Sequence, residues 1–344
     1  MARFVISSTR RSAGKTGLIA GLSAALGGKA GYVKPLGDRL LYQKKRLWDY
    51  DAAVIARAWN LGVDLEHMTL GFEHAKLRFM YDAEAVKKRL RELADAMEKG
   101  RNHLFIESGE DLLFGASVGL DALSVARATE ARLILVVGGS DERIADDIAF
   151  IDAYLKEPEV KLAGVVINKV QDPEEFRHTH LEKIRSRGLP ILGILPFRQE
   201  LATISAGFVA ERLFARVLGG EAGLNSTVKN VLIGSIGSEA ALREALKKDR
   251  MLIITSGDRS DVVLAALESD TACIVLTNDV MPPSHIVTKA AGKNVPVLLV
   301  PQDTFETARR IDALEPLLSA GDSAKFALLE KDVKSGIDLN ALAK

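Results

Sequence analysis

Short apolar runs alternate with longer amphipathic stretches along most of this 344-residue chain, and this alternation restricts the fold more than any other feature. The runs are apolar on both faces, as strands buried inside a parallel sheet tend to be. In the first part of the chain we predict strands at Phe4–Ser7, Ala30–Lys34, His103–Glu107, Arg132–Val137, Leu162–Ile167 and Pro190–Leu195. The helical patterns between them cover Lys15–Leu26, Ala52–Trp59, Ala83–Lys99, Leu120–Thr129, Asp141–Lys156 and Pro173–Arg187. This order predicts an α/β fold with a doubly wound parallel sheet and helices on both faces.

The rhythm restarts after a turn-rich segment at residues 218–226, which we interpret as a linker. Beyond it we predict strands at Val231–Ile236, Met251–Ser256, Ala272–Leu276 and Val297–Val300, and helices at Glu239–Lys247, Ser260–Leu267, His285–Ala291 and Thr304–Leu314. The expected organisation is therefore a first domain at residues 1–217 and a second, smaller α/β domain at residues 226–320. Residues 321–344 form a tail that either docks as a helix or stays loose.

A phosphate-binding loop is predicted at Thr9–Thr16, between the first strand and the first helix. The sequence Ser8-Thr-Arg-Arg-Ser-Ala-Gly-Lys-Thr ends in the Gly-Lys-Thr of a P-loop, although Thr9 replaces the usual first glycine. Backbone N–H groups of such a loop and the positive end of the helix dipole bind phosphate. We expect Lys15 to reach the β- and γ-phosphates and Thr16 to bind Mg²⁺. The remaining nucleotide-binding candidates in the loop are Thr9, Arg10, Arg11, Ser12, Ala13 and Gly14.

Two carboxylates are candidate ligands for that Mg²⁺, which prefers oxygen ligands. Glu107 ends an apolar strand, and the carboxyl ends of parallel strands line the ligand crevice of open α/β sheets. Asp51 opens a predicted helix, where its alternative role is that of an N-cap. Arg10 is a nucleotide-binding candidate, and its alternative interpretation is an ordinary solvated side chain.

A lysine and an asparagine follow two further strands. Lys34 can stabilise charge on a transferred phosphoryl group, or it is a surface lysine whose stem alone is buried. Asn168, followed by Lys169, can read the edge of adenine with one donor and one acceptor. A guanine-selective motif would have Asp two residues after the lysine, and this chain has Gln171, which favours adenine.

Residues 1 to about 215 resemble dethiobiotin synthetase and its relatives in the SIMIBI class of P-loop proteins. The matching segments are Thr9–Thr16, Val33-Lys-Pro, Asp51-Ala, Ile106-Glu-Ser-Gly, Gly164-Val-Val-Ile-Asn-Lys and Gly193-Ile-Leu-Pro. The resemblance implies a P-loop NTPase fold, an Mg-ATP site built from Lys15, Thr16, Asp51 and Glu107, and adenine contact by Asn168. It also implies that Lys34 assists a substrate carbamate, and that the protein is a homodimer. Glu-Ser-Gly-Glu-Asp replaces the Glu-Gly-Ala-Gly-Gly of true synthetases, which argues against biotin synthesis.

The second domain resembles the DRTGG domain. Its namesake motif corresponds to Ser256-Gly-Asp-Arg-Ser-Asp, followed by Val275-Leu-Thr-Asn and Asp303-Thr-Phe-Glu-Thr-Ala. We interpret Asp258, Arg259 and Asp261 as a ligand or interface position at a helix start, or as a capped helix with Asp258 as the cap. The order of the two domains is similar to that in the N-terminal half of long phosphate acetyltransferases. Because the acetyltransferase domain would follow residue 320, we expect no such activity here.

The composition excludes several classes of function. Lys plus Arg and Asp plus Glu both number 46, so no global positive field attracts nucleic acid or an anionic membrane. The single cysteine, Cys273, excludes an intrachain disulfide, and its apolar surroundings indicate a buried strand. We find neither a signal peptide nor an apolar run of membrane-spanning length, so we expect a cytoplasmic protein.

Three hypotheses about function follow. ATP could phosphorylate a carboxylate or carbamate, with Lys15, Lys34 and Mg²⁺ neutralising the developing charge. Alternatively, ATP binding without much turnover could regulate the second domain or a partner protein. A purely structural protein with a vestigial loop is the third hypothesis. The acceptor substrate is not indicated by any motif in the sequence.

Overall fold

The computed structural model describes residues 2–43, 45–155, 159–234, 244 and 246–343. The chain divides into two compact units. Unit 1 consists of Met1–Arg198 together with Leu318–Lys344, and unit 2 consists of Gln199–Leu317. Unit 2 therefore begins earlier in the chain than the predicted linker. The predicted tail is part of unit 1.

Unit 1 is built on a six-stranded sheet in which all neighbouring strands are parallel. The strands of unit 1, including two outside this sheet, are in chain order β1 Ala2–Ser8, β2 Ala30–Val33, β3 Leu40–Gln43, β4 Arg46–Asp49, β5 His103–Glu107, β6 Arg132–Gly138, β7 Leu162–Val170 and β8 Ile191–Pro196. The strand order in the sheet is β2-β5-β1-β6-β7-β8, while β3 and β4 form a separate antiparallel hairpin. β1 thus lies between β5 and β6, which places the loop after β1 at the centre of the carboxyl edge.

Helices connect these strands and cover the sheet. They are α1 Lys15–Leu26, α2 Tyr50–Ala58, α3 His74–Met80, α4 Ala83–Glu98, α5 Ala122–Thr129, α6 Asp141–Tyr154 and α7 Pro173–Arg185, with 3-10 turns at Leu65–Met68 and Ala116–Val118. Carboxylates cap several helix starts, as the side chain of Asp121 does by accepting N–H groups of Leu123 and Ser124. The interior of the sheet is an apolar core, in which side chains such as Ile6, Ile106 and Ile134 are fully buried.

Unit 2 has a five-stranded sheet in the order β10-β15-β14-β13-β12, in which only β10 is antiparallel to its neighbour. Its strands are β9 Ile204–Ser205, β10 Arg216–Gly219, β11 Thr227–Val228, β12 Asn230–Ile233, β13 Met251–Ser256, β14 Thr271–Thr277 and β15 Val297–Leu299. Its helices are α8 Ala206–Leu213, α9 Ser260–Leu267, α10 Ser284–Gly292 and α11 Thr304–Asp312, with 3-10 turns at Gln199–Ala202 and Glu221–Gly223. Cys273 is buried in β14, and burial raises the pKa of its thiol to about 12.

The chain returns to unit 1 through α12 Ser323–Gly336 and α13 Leu339–Ala343. α12 packs against α1 so closely that a Cβ on Gly21 would lie 2.7 Å from the carbonyl oxygen of Leu329. Arg198, at the end of the first part of unit 1, donates two hydrogen bonds to Asp332 of α12, at 2.6 and 2.9 Å. The C-terminal helix is therefore an integral part of unit 1.

The structure confirms the α/β class, the parallel sheet of unit 1 and the smaller second α/β unit. The predicted helix Glu239–Lys247, the end of strand Val231–Ile236 and the end of helix Asp141–Lys156 fall wholly or partly outside the described residues. The β3–β4 hairpin, α3, α8 and β10 were not predicted from the sequence. Among the described residues, none of the helices has the length and apolar character that a membrane crossing requires.

Candidate functional site

The loop after β1 folds tightly around the start of α1. Ser12 and Gly14 both have positive φ, at 57° and 99°. Gly14 has a second reason to be glycine, since a Cβ there would collide with the side-chain amide of Asn168. The loop backbone thus makes a tight turn into α1 at Gly14, and it does so without the usual first glycine of a phosphate-binding loop.

Lys15 is buried, and its ammonium forms hydrogen bonds with other residues of the protein. Its Nζ donates to Ser8 Oγ at 3.1 Å and to the carbonyl oxygen of Glu110 at 2.8 Å. Burial lowers the pKa of this ammonium, while the nearby carboxyl of Glu107 acts in the opposite direction. Lys15 therefore links the loop to the segment that follows β5.

Thr16, in the first turn of α1, contacts Glu107 at the end of β5. The Thr16 hydroxyl donates to Glu107 Oε1 at 2.9 Å, and the Tyr32 hydroxyl donates to Glu107 Oε2 at 2.8 Å. Glu107 is fully buried, and this burial raises the pKa of its carboxyl to about 7 even though Lys34 opposes the change. A carboxylate and a hydroxyl beside a P-loop are hard oxygen donors of the kind that Mg²⁺ binds.

Lys34 is the centre of a buried ionic cluster rather than a surface residue. It is fully buried, and its Nζ lies 2.6 Å from Asp51 Oδ2, 3.4 Å from Asp49 Oδ2 and in contact with the carboxylate of Asp38. Burial alone would lower the pKa of Lys34, but the carboxylates of Asp49 and Asp51 outweigh it and hold the pKa well above the usual value. The alternative of an exposed ammonium on a buried stem is therefore wrong.

Asp51 does not cap α2, contrary to its alternative interpretation. The capping residue is Asp49, whose Oδ1 accepts the N–H of Ala52 at 3.1 Å. Asp51 instead bonds to Lys34 and to Arg39 NH1, at 2.6 and 3.0 Å. Burial would raise the pKa of Asp51, but these two cations outweigh it and lower the pKa to about 2. Asp51 is thus an ionised carboxylate in electrostatic range of Glu107.

Arg39 is a site residue that the sequence analysis missed. Its guanidinium bonds to Asp51 and also donates to Ser12 Oγ at 3.1 Å, so it connects the ionic cluster to the loop. It lies just before β3, in a segment without hydrophobic periodicity, and no sequence signal marks it. Asp38, Asp49 and Asp51 place oxygen atoms within 4.8 Å of one another, a geometry that can hold a metal, but the cation among them is Lys34.

The first residues of the loop form hydrogen bonds with α6. The Thr9 hydroxyl donates to Asp147 of α6 at 2.6 Å, and the guanidinium of Arg10 donates to both oxygens of the same carboxylate. Arg10 is exposed, as its interpretation as a solvated surface side chain expects, and it is also paired within its own chain. Arg11 is more exposed and pairs with Glu110 at 3.3 Å.

Asn168 and Lys169 pack on the loop from the end of β7. Asn168 Nδ2 donates to the carbonyl oxygen of Ala13 at 2.8 Å, and Lys169 Nζ donates to that of Ser12 at 2.7 Å. Each amide atom of Asn168 can still form a second hydrogen bond. Adenine contact by Asn168 stays a prediction.

In unit 2, the predicted motif lies in the turn between β13 and α9. Arg259 donates two hydrogen bonds to the carboxylate of Asp261, at 3.0 and 2.9 Å. Asp258 is exposed and does not cap α9, since the N-cap position of that helix is Arg259, which makes no side-chain cap hydrogen bond. The capped-helix alternative is therefore wrong, and a ligand or interface role for these three residues stays a prediction.

Comparison with known proteins identifies a family for each of the two domains. The family model described as "AAA domain" matches residues 2–205, and the model described as "DRTGG domain" matches residues 208–314. A phosphate acetyltransferase of Synechocystis is 27% identical over 282 residues, which cover 75% of this chain and 39% of that protein. The phosphate acetyltransferase of Nitrosomonas europaea is 23% identical over 364 residues, covering 100% of this chain and 52% of the relative.

The chain therefore spans between two fifths and about half of the length of these relatives. Among solved structures, cobyrinic acid a,c-diamide synthase from Mycobacterium smegmatis matches 58% of this chain and 87% of its own, with 14% identity and a TM-score of 0.36. A score this low supports no statement about function. The two family matches do show a P-loop domain followed by a DRTGG domain, which is the predicted order.

Proposed function

The chain belongs to the AAA domain family, and on that premise we propose that unit 1 binds Mg-ATP at the loop Thr9–Thr16. One observation carries this proposal: Thr16 donates to the buried carboxyl of Glu107, which lies in electrostatic range of the Lys15 ammonium. A hydroxyl, a carboxyl and an ammonium at one helix N-terminus are what a metal–phosphate pair requires. The nucleotide specificity proposed for Asn168 and Lys169 rests on their contacts with Ala13 and Ser12.

Each group has a distinct part in this site. Lys15 would exchange Ser8 and the Glu110 carbonyl for phosphate oxygens, because a negative ligand offers its ammonium a stronger partner than two neutral ones. Thr16 and the ionised form of Glu107 would hold Mg²⁺, with Asp51 nearby as a further oxygen donor. The metal would neutralise phosphate charge and so favour binding of the nucleotide in this buried setting.

For the use of the bound ATP, we propose nucleotide-responsive regulation with little turnover. Lys34, the residue that would assist an acceptor, is fully buried and held by the carboxylates of Asp38, Asp49 and Asp51. An ammonium so enclosed cannot touch an acceptor substrate unless the cluster opens. Lys15, in contrast, couples the loop to the segment after β5 through the Glu110 carbonyl, and ATP would break that link.

ATP-dependent phosphorylation or ligation at a carboxylate or carbamate remains the second candidate. Lys34 and Asp51 lie in electrostatic range of Glu107, so opening of the cluster would bring a lysine close to the bound phosphates. The two candidates share the same ATP site and differ in whether ADP is released.

Thermal unfolding with and without Mg-ATP tests the shared site. A ligand that binds only the folded state at about one hundred times its Kd stabilises the protein by about 2.7 kcal/mol. We expect Mg-ATP to raise the Tm of the protein and of Lys29→Ala, and to leave that of Lys15→Ala unchanged. Lys29 is a matched control because it is exposed and lies at the opposite edge of the sheet, beside β2. Unchanged Tm in the wild type would favour a vestigial loop.

Release of ADP separates the two uses. The purified protein is incubated with Mg-ATP and with mixtures of amines, carboxylates and bicarbonate, and ADP is measured over time. Binding of ATP with no more ADP than Lys15→Ala produces supports regulation. Acceptor-dependent ADP release that is lost in Lys34→Met, with ATP binding retained, would instead establish a ligase or kinase.

A further inference from the structure

Unit 1 contains a groove of about 840 Å³ between α4 and α5, which residues of α3 and the turn Ala116–Gly119 also line. This volume lies within the range of about 300–1,000 Å³ that is typical of small-molecule sites. None of the loop residues Thr9–Thr16 lines it, so it is separate from the proposed ATP site. No feature of the proposed function accounts for it.

The floor of the groove is apolar. Leu77, Val86, Val118 and Ala128 line it, and each of these side chains is otherwise packed into the fold, with at most 8% exposed. These side chains present only their edges to the groove, and covering apolar surface contributes about 25 cal/mol for each Å² removed from water. The floor therefore favours an aliphatic or otherwise apolar group.

The rim carries more positive than negative charge. The charged residues lining the groove are Arg78, Lys87, Arg91, Arg127, Asp82 and Glu159. Asp82 is occupied as the N-cap of α4, where its carboxylate accepts the N–H of Ala85 at 2.8 Å. The surplus of cations favours an anionic group on a ligand in the groove.

Arg78 is the cation best placed to receive that group. Arg91 donates to the carbonyl oxygen of Ala128 at 3.1 Å, and Lys87 pairs with Glu84 at 2.7 Å. Arg78 is exposed and has no hydrogen bond or ion pair to any residue that the structure describes. A guanidinium without a partner can form two parallel hydrogen bonds to a carboxylate or phosphate.

We propose that this groove binds an anionic amphiphile, in which a carboxylate or phosphate on a short aliphatic chain pairs with Arg78 and the chain lies on Val86 and Val118. The site does not depend on nucleotide binding. Its occupancy is therefore measurable on the protein without ATP, and failure of one proposal leaves the other standing.

Titration calorimetry of the full chain with octanoate and with octyl phosphate tests the site, with octylamine as the cationic probe of equal chain length. We expect saturable one-to-one binding of at least one anionic probe and none of octylamine. Whichever head group binds identifies the ligand as a carboxylate or a phosphate. If neither anion binds saturably, or if octylamine binds as well, the proposal is wrong.

Three variants locate the binding. Arg78→Glu reverses the charge of the anchor, Ser124→Leu fills the groove from α5, and Lys88→Glu makes the same reversal on α4 outside the groove. We expect at least a tenfold loss of affinity in the first two and little change in the third, with the Tm of each variant checked against the wild type. Equal loss in Lys88→Glu and Arg78→Glu, or no loss in Ser124→Leu, would show binding elsewhere and overturn the proposal.

Discussion

At the scale of single residues, Glu107 holds its proton to an unusually high pH. In the metal-free protein its pKa is raised by burial to about 7, against the usual 4.5. The folded state therefore keeps a proton that the unfolded state has already lost between these values. The contribution to stability is fully present below about pH 4.5 and is lost as the pH rises through 7.

This predicts that the urea midpoint of the protein, measured with a chelator present, falls between pH 5 and pH 7.5. Glu107→Gln should make the fall smaller, because Gln does not titrate and can still bond to Thr16 and Tyr32. Burial also raises the pKa of Asp49, so part of the pH dependence should remain in the variant. A variant that retained the full slope would mean that Glu107 is already ionised at pH 5.

Lys34 provides a second prediction at this scale. Removing one partner of a buried ion pair costs about 3–5 kcal/mol, because the remaining charge has no counterion. We expect Lys34→Met to lower the free energy of unfolding by about 3 kcal/mol or more, since Asp49 and Asp51 lose their shared ammonium and, among the residues that the structure describes, Arg39 is the cation that stays paired with Asp51. Lys29→Met, at an exposed position, should change it by less than about 0.5 kcal/mol. Urea denaturation of both variants measures the difference.

At the scale of elements, the contact between α1 and α12 depends on glycine. A Cβ on Gly21 would lie 2.5 Å from Val333 Cγ2 and 2.7 Å from the backbone oxygen of Leu329. Because backbone cannot move as easily as a side chain, α12 would have to shift. Gly17 is less constrained, since its nearest neighbour is Leu329 Cδ2 at 3.3 Å.

We therefore expect Gly21→Ala to destabilise the protein by about 1–2 kcal/mol, after the better helix propensity of Ala offsets part of the overpacking cost. Gly17→Ala should be close to neutral, because the side chain of Leu329 can move. The measurement is the urea midpoint of each variant. If Gly17→Ala proved the more harmful of the two, the packing of α12 on α1 would not be as described.

The elements show which parts of the structure could be predicted from sequence. β5 and α1 agree with the prediction at both ends, because an apolar run and a P-loop helix each give a strong local signal. The β3–β4 hairpin was missed since its strands Leu40–Gln43 and Arg46–Asp49 have only four residues each and are separated by two lysines. That hairpin positions Asp49 and follows Arg39, so the ionic cluster around Lys34 was also beyond the reach of sequence patterns.

The same limit applies to α12. Its Ala-, Lys- and Asp-rich sequence shows that a helix is possible, but not which unit it joins. That assignment depends on tertiary contacts such as Arg198 with Asp332. Lys15 and Thr16 were candidates because Gly-Lys-Thr stands between a predicted strand and a predicted helix, the context of a phosphate-binding loop. The partner of Arg10, Asp147, lies far along the chain on a helix without any motif.

At the scale of the whole molecule, unit 1 is made from two separate stretches of chain. A protein ending at Arg198 would expose the surface of α1 that α12 covers. We expect it to lose Mg-ATP stabilisation and to be cleaved rapidly by proteases. A chain in which a flexible Gly/Ser linker replaces residues 199–317 should retain the stabilisation, as measured by the Tm with Mg-ATP. If the shorter protein bound ATP as well as the linked one, α12 would be dispensable for the site.

The division of unit 1 has a consequence for biosynthesis. Residues 199–317 leave the ribosome before α12 does, so unit 2 can begin to fold while unit 1 still lacks that helix. Until then the Gly17–Gly21 face of α1 lies open, and the nascent protein has an apolar surface that a chaperone or a neighbouring nascent chain can occupy. Emergence of α12, rather than folding of the loop itself, would then decide when unit 1 can first bind the proposed nucleotide.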